Sequence, residues 1–380
     1  MKLFDVYPTL NIELSKSKGA YIYDIQGNMY LDFYGGHAVI SIGHSHPYYI
    51  KALTEQIHEI SYYSNSIYIS QKRKLADLLG NISGYEEYSL FLCNSGTESN
   101  ENALKIASFH TGKKKVIAFK GSFHGRTSGS LSVTDNYKLI SPFNAQHETI
   151  FINYQDFDSL EKKLKNQDIC AIITEGIQGV SGIIDPGSDF FYKIESFCKK
   201  YNTVLIIDEV QSGYGRTGSF FSHQLYSIKP DLITVAKGMG NGFPIGGVLI
   251  HPKFQPYYGM LGTTFGGNHL ACTAGITVLE IIQKENLIEN AKRMGKILLQ
   301  GLCLIPEINE IRGRGLMIGL EFDFPIQDLK NLLIYKEKVF VGTSSNPYVL
   351  RLLPPLNINE NHIKLFLKKL KNALAYLFRY

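Results

Sequence analysis

The chain has 380 residues, of which 44% are hydrophobic and 19% are charged, as in ordinary soluble globular proteins. This length predicts two or three domains, or one large α/β domain with a smaller domain attached. The net charge of +5 is spread along the chain, and the longest basic run is 113–115, so we expect no nucleic-acid binding.

Cysteine usage and hydropathy bear on the compartment in which the protein works. The five cysteines are odd in number, far apart and without a Cys-x-x-Cys pair, which argues against a disulfide framework and a structural zinc site. No apolar stretch approaches the ~18 residues of a membrane span, and residues 1–10 lack the apolar core of a signal peptide. We therefore expect a cytoplasmic protein without a membrane segment.

Short apolar runs alternate with segments of helical periodicity over the first 270 residues. The runs predicted to be strands are 89–93, 115–119, 149–153, 170–174, 203–208, 231–236 and 245–251. Helices are predicted between them, among others at 100–110, 157–164 and 190–201. Several of the strands are apolar on consecutive positions, as strands buried on both faces of a parallel sheet are. The pattern predicts an α/β fold with a largely parallel, helix-covered sheet.

The pattern changes after about residue 270. Long helices are predicted at 271–283 and 288–304, followed by strand-like pieces at 311–322, 339–341 and 349–353 and by an amphipathic closing helix. This part predicts a smaller α+β domain, near which the hairpin-like segment 20–33 should pack. We expect an N-terminal segment at 1–34 that packs with the small domain, a large domain at 35–267 and a small C-terminal domain at 268–380.

Polar or charged side chains follow five of the predicted strands. They belong to the segments 94–98, 120–126, Glu175, 208–211 and Lys237. Because ligands of an open parallel sheet bind at the carboxyl ends of its strands, these groups are expected to share one site.

Lys237 and Asp208 are the most informative of these residues. Lys237 has the small neighbours Ala236 and Gly238, so a planar ligand could press against it, and burial would lower the pKa of its amine, as a Schiff-base nucleophile requires. Taken alone, a lysine at a strand end more often reaches water. Asp208 lies one strand–helix–strand unit earlier and could hold a pyridinium nitrogen protonated, although a lone aspartate is more often a helix cap.

Residues 95–98 are typical of a helix start, since Ser95 and Glu98 have the spacing of a capping box. The backbone N–H groups of Gly96 and Thr97 could there bind an anion such as phosphate. Other phosphate-binding motifs are not supported. No P-loop sequence GxxxxGK[ST] occurs, and the glycine-rich segment 238–242 is followed by Phe-Pro-Ile instead of a helix, which disfavours a Rossmann dinucleotide loop.

The segment 43–47 could suggest a metal site, because it contains His44 and His46. No aspartate, glutamate or cysteine stands at a supporting spacing, so a helix that begins at Pro47 is the favoured interpretation.

Together these motifs resemble the class III, fold-type I pyridoxal-phosphate aminotransferases. The matching segments are 19–27, 30–33, 43–47, 94–101, 122–127, 208–218, 236–246, 263–268 and 351–356. The Asp-Glu-Val-Gln segment at 208–211 and the Ala-Lys-Gly segment at 236–238 are the most specific. The resemblance implies a large domain with a mostly parallel sheet, a smaller α+β domain and pyridoxal 5′-phosphate as the cofactor.

The resemblance also assigns a role to each residue around the cofactor ring. Lys237 would carry the covalent link and transfer protons, and Asp208 would pair with the ring nitrogen. Phe123 and Val210 would cover the two ring faces, and Gln211 would bind the 3-oxygen.

The phosphate would be shared between two subunits. Gly96 and Thr97 would bind it from one subunit, and Thr264 would reach it from the partner, with Thr263 beside it near the substrate. The resemblance thus implies a homodimer with shared active sites.

The implied reaction moves the terminal amino group of N2-acetylornithine to 2-oxoglutarate, which gives N-acetylglutamate 5-semialdehyde and glutamate in arginine biosynthesis. Arg351 would pair with a carboxylate, and Arg126 would bind the acylated amino acid. Glu175 is assigned to the substrate-binding residues as well. One departure is Val180, where relatives usually carry a glutamate, which in ornithine-type relatives masks the carboxylate-binding arginine. The valine argues against ornithine as the amino donor and leaves N-succinylornithine as an alternative to N2-acetylornithine.

Other activities remain open on the sequence. Ornithine or 4-aminobutyrate could be the amino donor within the same chemistry. A pyridoxal-phosphate mutase of the same fold would need no 2-oxoglutarate, and a binding protein without catalysis would need neither Lys237 nor Asp208.

Overall fold

A computed structural model describes residues 1–378 of the chain. In chain order the strands are β1 (Leu14–Lys18), β2 (Tyr21–Asp24), β3 (Met29–Asp32), β4 (Ser89–Cys93), β5 (Lys115–Phe119), β6 (Thr149–Ile152), β7 (Ile169–Glu175), β8 (Val204–Asp208), β9 (Leu232–Val235), β10 (Gly246–Ile250), β11 (Glu310–Arg314), β12 (Met317–Glu321), β13 (Val339–Phe340), β14 (Gly342–Thr343) and β15 (Val349–Leu352). The helices are α1 (Gly35–Ala38), α2 (Pro47–Glu59), α3 (Ser70–Ser83), α4 (Gly96–Thr111), α5 (Ser128–Ser132), α6 (Phe157–Leu164), α7 (Ser188–Tyr201), α8 (His269–Lys284), α9 (Leu287–Leu302), α10 (Gln327–Asn331) and α11 (Glu360–Leu377).

The central sheet has seven strands in the order β4-β10-β9-β8-β7-β5-β6. All seven predicted strands are present within one residue at each end, and the α/β fold is confirmed. The sheet is parallel from β9 to β6, whereas β10 is antiparallel to both β9 and β4. Because two antiparallel pairings restore the direction, β4 ends at the same edge of the sheet as β5, β7, β8 and β9.

The central strands are buried on both faces, which explains their consecutive apolar residues. Every residue of β7, β8 and β9 is buried. Ile173 and Ile206 share a cluster with α4 on one face, while the adjacent residues Ile172 and Ile207 share a cluster with α7 on the other. Helices therefore cover both sides, as the sequence predicts.

Two smaller sheets bring the ends of the chain together. The hairpin of β2 and β3 adds β13 in parallel, with Leu31 opposite Val339, so this hairpin lies beside a strand of the C-terminal part. The other sheet has the order β11-β12-β15-β14. The boundaries after residues 34 and 267 stay predictions. Within residues 1–378, no helix has both the length and the apolar character needed to cross a membrane.

Candidate active site

A cavity of about 410 Å³ lies at the carboxyl edge of the central sheet. Its lining includes residues from all five segments that follow predicted strands, among them Gly96, Phe123, Glu175, Asp208 and Lys237. The parallel direction of β5, β7, β8 and β9 brings these segments to one edge. The structure thus assembles in one place groups that are up to 141 residues apart in the sequence.

The Asp208 carboxylate at the end of β8 is buried and held by three donors. Asn100 Nδ2 donates at 2.8 Å and Val210 N at 2.9 Å. His124 Nδ1 lies 2.7 Å from the same carboxylate, so the ring carries its proton there. Within residues 1–378, His124 Nε2 is buried without a hydrogen-bond partner. These contacts fix the orientation of the carboxylate toward the cavity.

Lys237 follows β9 in a left-handed conformation, with φ at +43°. Such a backbone is unusual for a lysine and is typical of functional sites that the surrounding structure holds in place. Burial lowers the pKa of its amine, and nearby Asp208 and Glu175 oppose this shift only in part. The lowered pKa favours the neutral amine, which is the nucleophilic form.

The first turn of α4 forms an anion site at the cavity wall. Ser95 Oγ caps the helix by accepting the N–H of Glu98 at 3.3 Å, which leaves the N–H groups of Gly96 and Thr97 outside the intrahelical ladder. A Cβ at residue 96 would lie 2.6 Å from Val210 Cγ1, so only glycine fits beside the Val210 wall. The predicted helix start is confirmed.

Gln211 lies in the cavity lining, but both ends of its amide already have partners. Its Nε2 donates to the backbone oxygen of His37 at 3.2 Å, and its Oε1 accepts from Arg351 Nη1 at 3.2 Å. Gly179 makes this geometry possible, because a Cβ there would lie 1.9 Å from Gln211 Oε1. Gln211 therefore connects the cavity to Arg351.

Two arginines supply positive charge near the cavity. Arg126 lines the cavity and is exposed. Arg351 on β15 is 4% exposed, and its Nε donates to the backbone oxygen of Thr343. Neither guanidinium has a carboxylate within ion-pair distance in the described part of the chain. Arg126 can therefore receive an anionic ligand directly, whereas Arg351 is connected to the cavity lining through its contact with Gln211.

Glu175 ends β7 and is 5% exposed. Its carboxylate accepts the N–H of Phe123 at 3.0 Å and that of Gly179 at 2.8 Å. Burial, with a further contribution from Asp208, raises the pKa of this carboxyl to about 7, against an opposing effect of His124. The carboxyl thus titrates near neutral pH.

This raised pKa predicts a pH-dependent loss of folding stability. Between the ordinary pKa of 4.5 and about 7, the native protein binds more protons at Glu175 than the unfolded chain does, so the stabilising contribution is complete below that window and is lost as the pH rises through it. Glu175→Gln removes this dependence. Urea unfolding of the cofactor-free protein should show the wild type losing about 2–3 kcal/mol more than the variant between pH 5 and pH 8; parallel pH profiles would contradict the prediction.

Thr263 and Thr264 lie outside the cavity of their own chain. Thr263 Oγ1 accepts the N–H of Gly266 at 3.1 Å, and its backbone oxygen accepts from Asn65 Nδ2 at 2.7 Å. Thr264 is exposed. The contact of Thr264 with a phosphate from the partner subunit, and the place of Thr263 near the substrate, stay predictions.

The sequence interpretation missed several residues of the site. Asn100 and His124 fall within matching segments, but nothing in their spacing indicates a contact with Asp208. His37 lies in a left-handed turn that spans Gly35 to Ala38, and its ring contacts the Tyr34 hydroxyl. Burial, together with the charges of Arg351 and Lys237, lowers the pKa of His37 to about 4. The glycine pair before His37 was the only local signal of the turn.

The residues present fit pyridoxal phosphate. A lysine with a lowered pKa, a buried carboxylate and an open helix N-terminus converge on one cavity, with Phe123 and Val210 in its lining. A fold-type I pyridoxal-phosphate transferase has this combination of sheet edge and side chains.

Comparisons with known proteins narrow this class. The model of the family "Aminotransferase class-III" matches residues 5–374. Acetylornithine aminotransferase of Bacillus subtilis is 37% identical, over 98% of both chains, and that of Halalkalibacterium halodurans is 39% identical, over 98% of this chain and 97% of the relative. Ornithine aminotransferase of Toxoplasma gondii superposes with a TM-score of 0.91 at 29% identity, over 98% of this chain and 92% of that chain. The chain belongs to the class III aminotransferases and is a pyridoxal-phosphate-dependent enzyme.

Proposed function

We propose that this enzyme transfers the terminal amino group of N2-acetylornithine to 2-oxoglutarate, a step of arginine biosynthesis. The proposal is carried by the similarity to acetylornithine aminotransferases over nearly the full length of both chains. The two arginines near the cavity agree with it, because 2-oxoglutarate has two carboxylates and an acylornithine has one.

Each group in the cavity has a role in this reaction. Bound there, pyridoxal phosphate supplies an electron sink for the bond that breaks at the substrate carbon. Gly96 and Thr97 would bind its phosphate, Asp208 would keep its ring nitrogen protonated, and Phe123 and Val210 would hold the ring between them.

Lys237 then moves the proton. Its amine would take a proton from the substrate carbon that bears the amino group and return it to the C4′ carbon of the cofactor, acting as base and then as acid. The lowered pKa of the amine supports this role, because it favours the neutral form, which can accept the proton. Arg126 and Arg351 hold the substrate so that only its terminal amino group reaches Lys237.

A panel of amino donors with 2-oxoglutarate tests the proposal. Steady-state rates for N2-acetylornithine, N2-succinylornithine, ornithine and 4-aminobutyrate should give the highest kcat/KM with an acylated ornithine. A clear preference for free ornithine would contradict the proposal. Product formation without 2-oxoglutarate would instead indicate a mutase.

N2-succinylornithine is the second candidate, because Val180 lines the cavity and brings no charge. With valine in place of a glutamate, nothing at this position competes for Arg351, so a second carboxylate of the donor can be accommodated. If succinylornithine is the better donor, Val180→Glu should reduce its kcat/KM more than that of acetylornithine.

We infer that the active unit is a homodimer with shared sites. Thr264 is exposed and lies outside the cavity of its own chain, so a second subunit could present it. Large apolar side chains are exposed on α2 and the segment after it, namely Tyr48, Ile50, Ile57, Ile60, Tyr62, Tyr63, Ile67 and Tyr68. An apolar surface of this extent is typical of a protein–protein interface.

Mixing two inactive variants tests the shared site. If Thr264 serves the partner's cavity, a hybrid of Lys237→Ala and Thr264→Ala subunits contains one cavity with both substitutions and one with neither. Activity should therefore reappear on mixing, at up to half of the wild-type value per hybrid dimer. If Thr264 served its own chain, each cavity of the hybrid would keep one substitution and mixing would restore nothing.

We also infer that the enzyme works in the cytoplasm. All five cysteines are free, and only Cys303 among them is exposed. Free thiols of this kind suit a reducing compartment.

A further inference from the structure

Arg216 is a buried cation to which the proposed reaction assigns no role. It is 2% exposed and is among the largest fully buried side chains. It lies in the loop after β8, the same loop that carries Val210 and Gln211. Burying a charge costs free energy unless polar partners compensate for it.

The partners of Arg216 are backbone carbonyls from three separate segments. Its Nη1 donates to the oxygens of Leu316, at 3.2 Å, and of Pro354. Its Nη2 donates to the oxygen of Ile40 at 3.5 Å. Across residues 1–378 no carboxylate lies within ion-pair distance of it, and burial lowers its pKa to about 9. The hydrogen-bond acceptors of the guanidinium are thus neutral, and the Asp32 carboxylate attracts it from beyond ion-pair distance.

Two of these carbonyls flank β15, which carries Arg351, and β12, which pairs with it. Leu316 directly precedes β12 and Pro354 closely follows β15, and these strands pair with Gly319 opposite Arg351. The backbone oxygen of Arg216 also accepts the N–H of Leu316 at 2.9 Å. Arg216 therefore ties both strands, at their shared end, to the loop after β8.

The third carbonyl leads to Arg351 by a second route. Ile40 closely follows the left-handed turn that contains His37. The backbone oxygen of His37 accepts from Gln211, and Gln211 accepts from Arg351. One route from Arg216 thus reaches the strand that carries Arg351, and the other reaches the Arg351 guanidinium through Gln211.

We propose that Arg216 is a positioning residue, which holds the Arg351 guanidinium at a fixed place relative to Gln211 and the cavity and so sets the affinity for substrates that carry carboxylates. The inference rests on the proposed function, in which Arg351 binds a substrate carboxylate. Lysine is a poor substitute, because one ammonium cannot span three acceptors arranged for a planar fork.

Glutarate, an unreactive dicarboxylate, is the probe for this role. Its Kd for the holoenzyme, measured by calorimetry, should rise about 10- to 100-fold in Arg216→Met, since a misplaced binding group loses affinity steeply. Arg216→Lys should lie between this variant and the wild type. Arg314→Met is the matched control: it removes an exposed arginine that pairs with Asp185, and it should leave the Kd unchanged.

A double-mutant cycle shows whether Arg216 acts through Arg351. If it does, the variant with both Arg216→Met and Arg351→Met binds glutarate no more weakly than Arg351→Met alone, because coupled residues are not additive. If the losses of glutarate affinity in the two single variants multiply in the double variant, the proposal is overturned. A Kd for Arg216→Met within about twofold of the wild type would overturn it as well.

Affinity for pyridoxal phosphate separates positioning from a merely structural effect. It should be unchanged in Arg216→Met, and Arg216→Lys takes over this test if the methionine variant does not fold. Equal losses of cofactor and glutarate affinity would overturn the proposal. An unchanged glutarate Kd in Arg351→Met would instead overturn the role of Arg351 itself, whereas the donor panel tests the reaction independently of both arginines.

Discussion

Lys237→Ala is expected to lower kcat by at least about a thousandfold, because the variant loses both the covalent attachment point and the group that moves the proton. The residue lies in the cavity with a lowered pKa, and no second lysine lines the cavity in the described part of the chain. A substitute for its amine is therefore missing, and added cofactor should not restore turnover.

Two measurements check this expectation together. Borohydride reduction followed by mass spectrometry should label the peptide that contains Lys237 in the wild type and leave the variant unlabelled. Single-turnover kinetics should show the slowed step. Lys292→Ala, on the exposed side of α9, is the control and should keep normal turnover. A Lys237→Ala enzyme that kept a tenth or more of the wild-type rate would contradict the role of Lys237 as attachment point and proton-transfer group.

Asp208→Asn is expected to lower kcat by about a hundred- to a thousandfold. The amide has almost the same shape, so the contacts with Asn100 can largely persist. It lacks the negative charge that would keep the cofactor nitrogen protonated, and the electron sink is weakened accordingly. The loss should fall on kcat more than on the KM for 2-oxoglutarate.

Asp231→Asn is the matched control for this carboxylate. Asp231 accepts the N–H of Leu205 at 2.9 Å and pairs with Lys253 at 2.6 Å, but it lies just before β9, at the opposite edge of the sheet. We expect Asp231→Asn to reduce stability and leave kcat within about twofold of the wild type. Similar kcat losses in the two variants would contradict a specific role for Asp208.

The central sheet and the main cavity groups could be predicted from the sequence because local patterns encode them. Strands buried on both faces must be apolar at consecutive positions, and the residues that follow them reach one edge of a parallel sheet. These rules indicated Lys237, Asp208 and Glu175. The polar strand β1 and the helix α3 were not predicted, since neither has a comparably strong signal.

The direction of β10 shows one limit of local patterns. The residues 246–250 read equally well as a parallel or an antiparallel strand, because burial alone determines which residues are apolar. Only pairing with β4 and β9 decides the direction. This direction has a consequence for the site, since it puts the end of β4, and with it the first turn of α4, at the cavity.

By itself the sequence determined the α/β class, the helix start at Gly96 and the lysine and aspartate at the strand ends, since each depends on neighbours within a few residues. Only the tertiary structure decided which groups surround them. The contacts of Asp208 with Asn100 and His124, of Gln211 with Arg351, and of Arg216 with three carbonyls join segments 84 to 176 residues apart. Such contacts depend on how the elements pack, and no local pattern of residues encodes that packing.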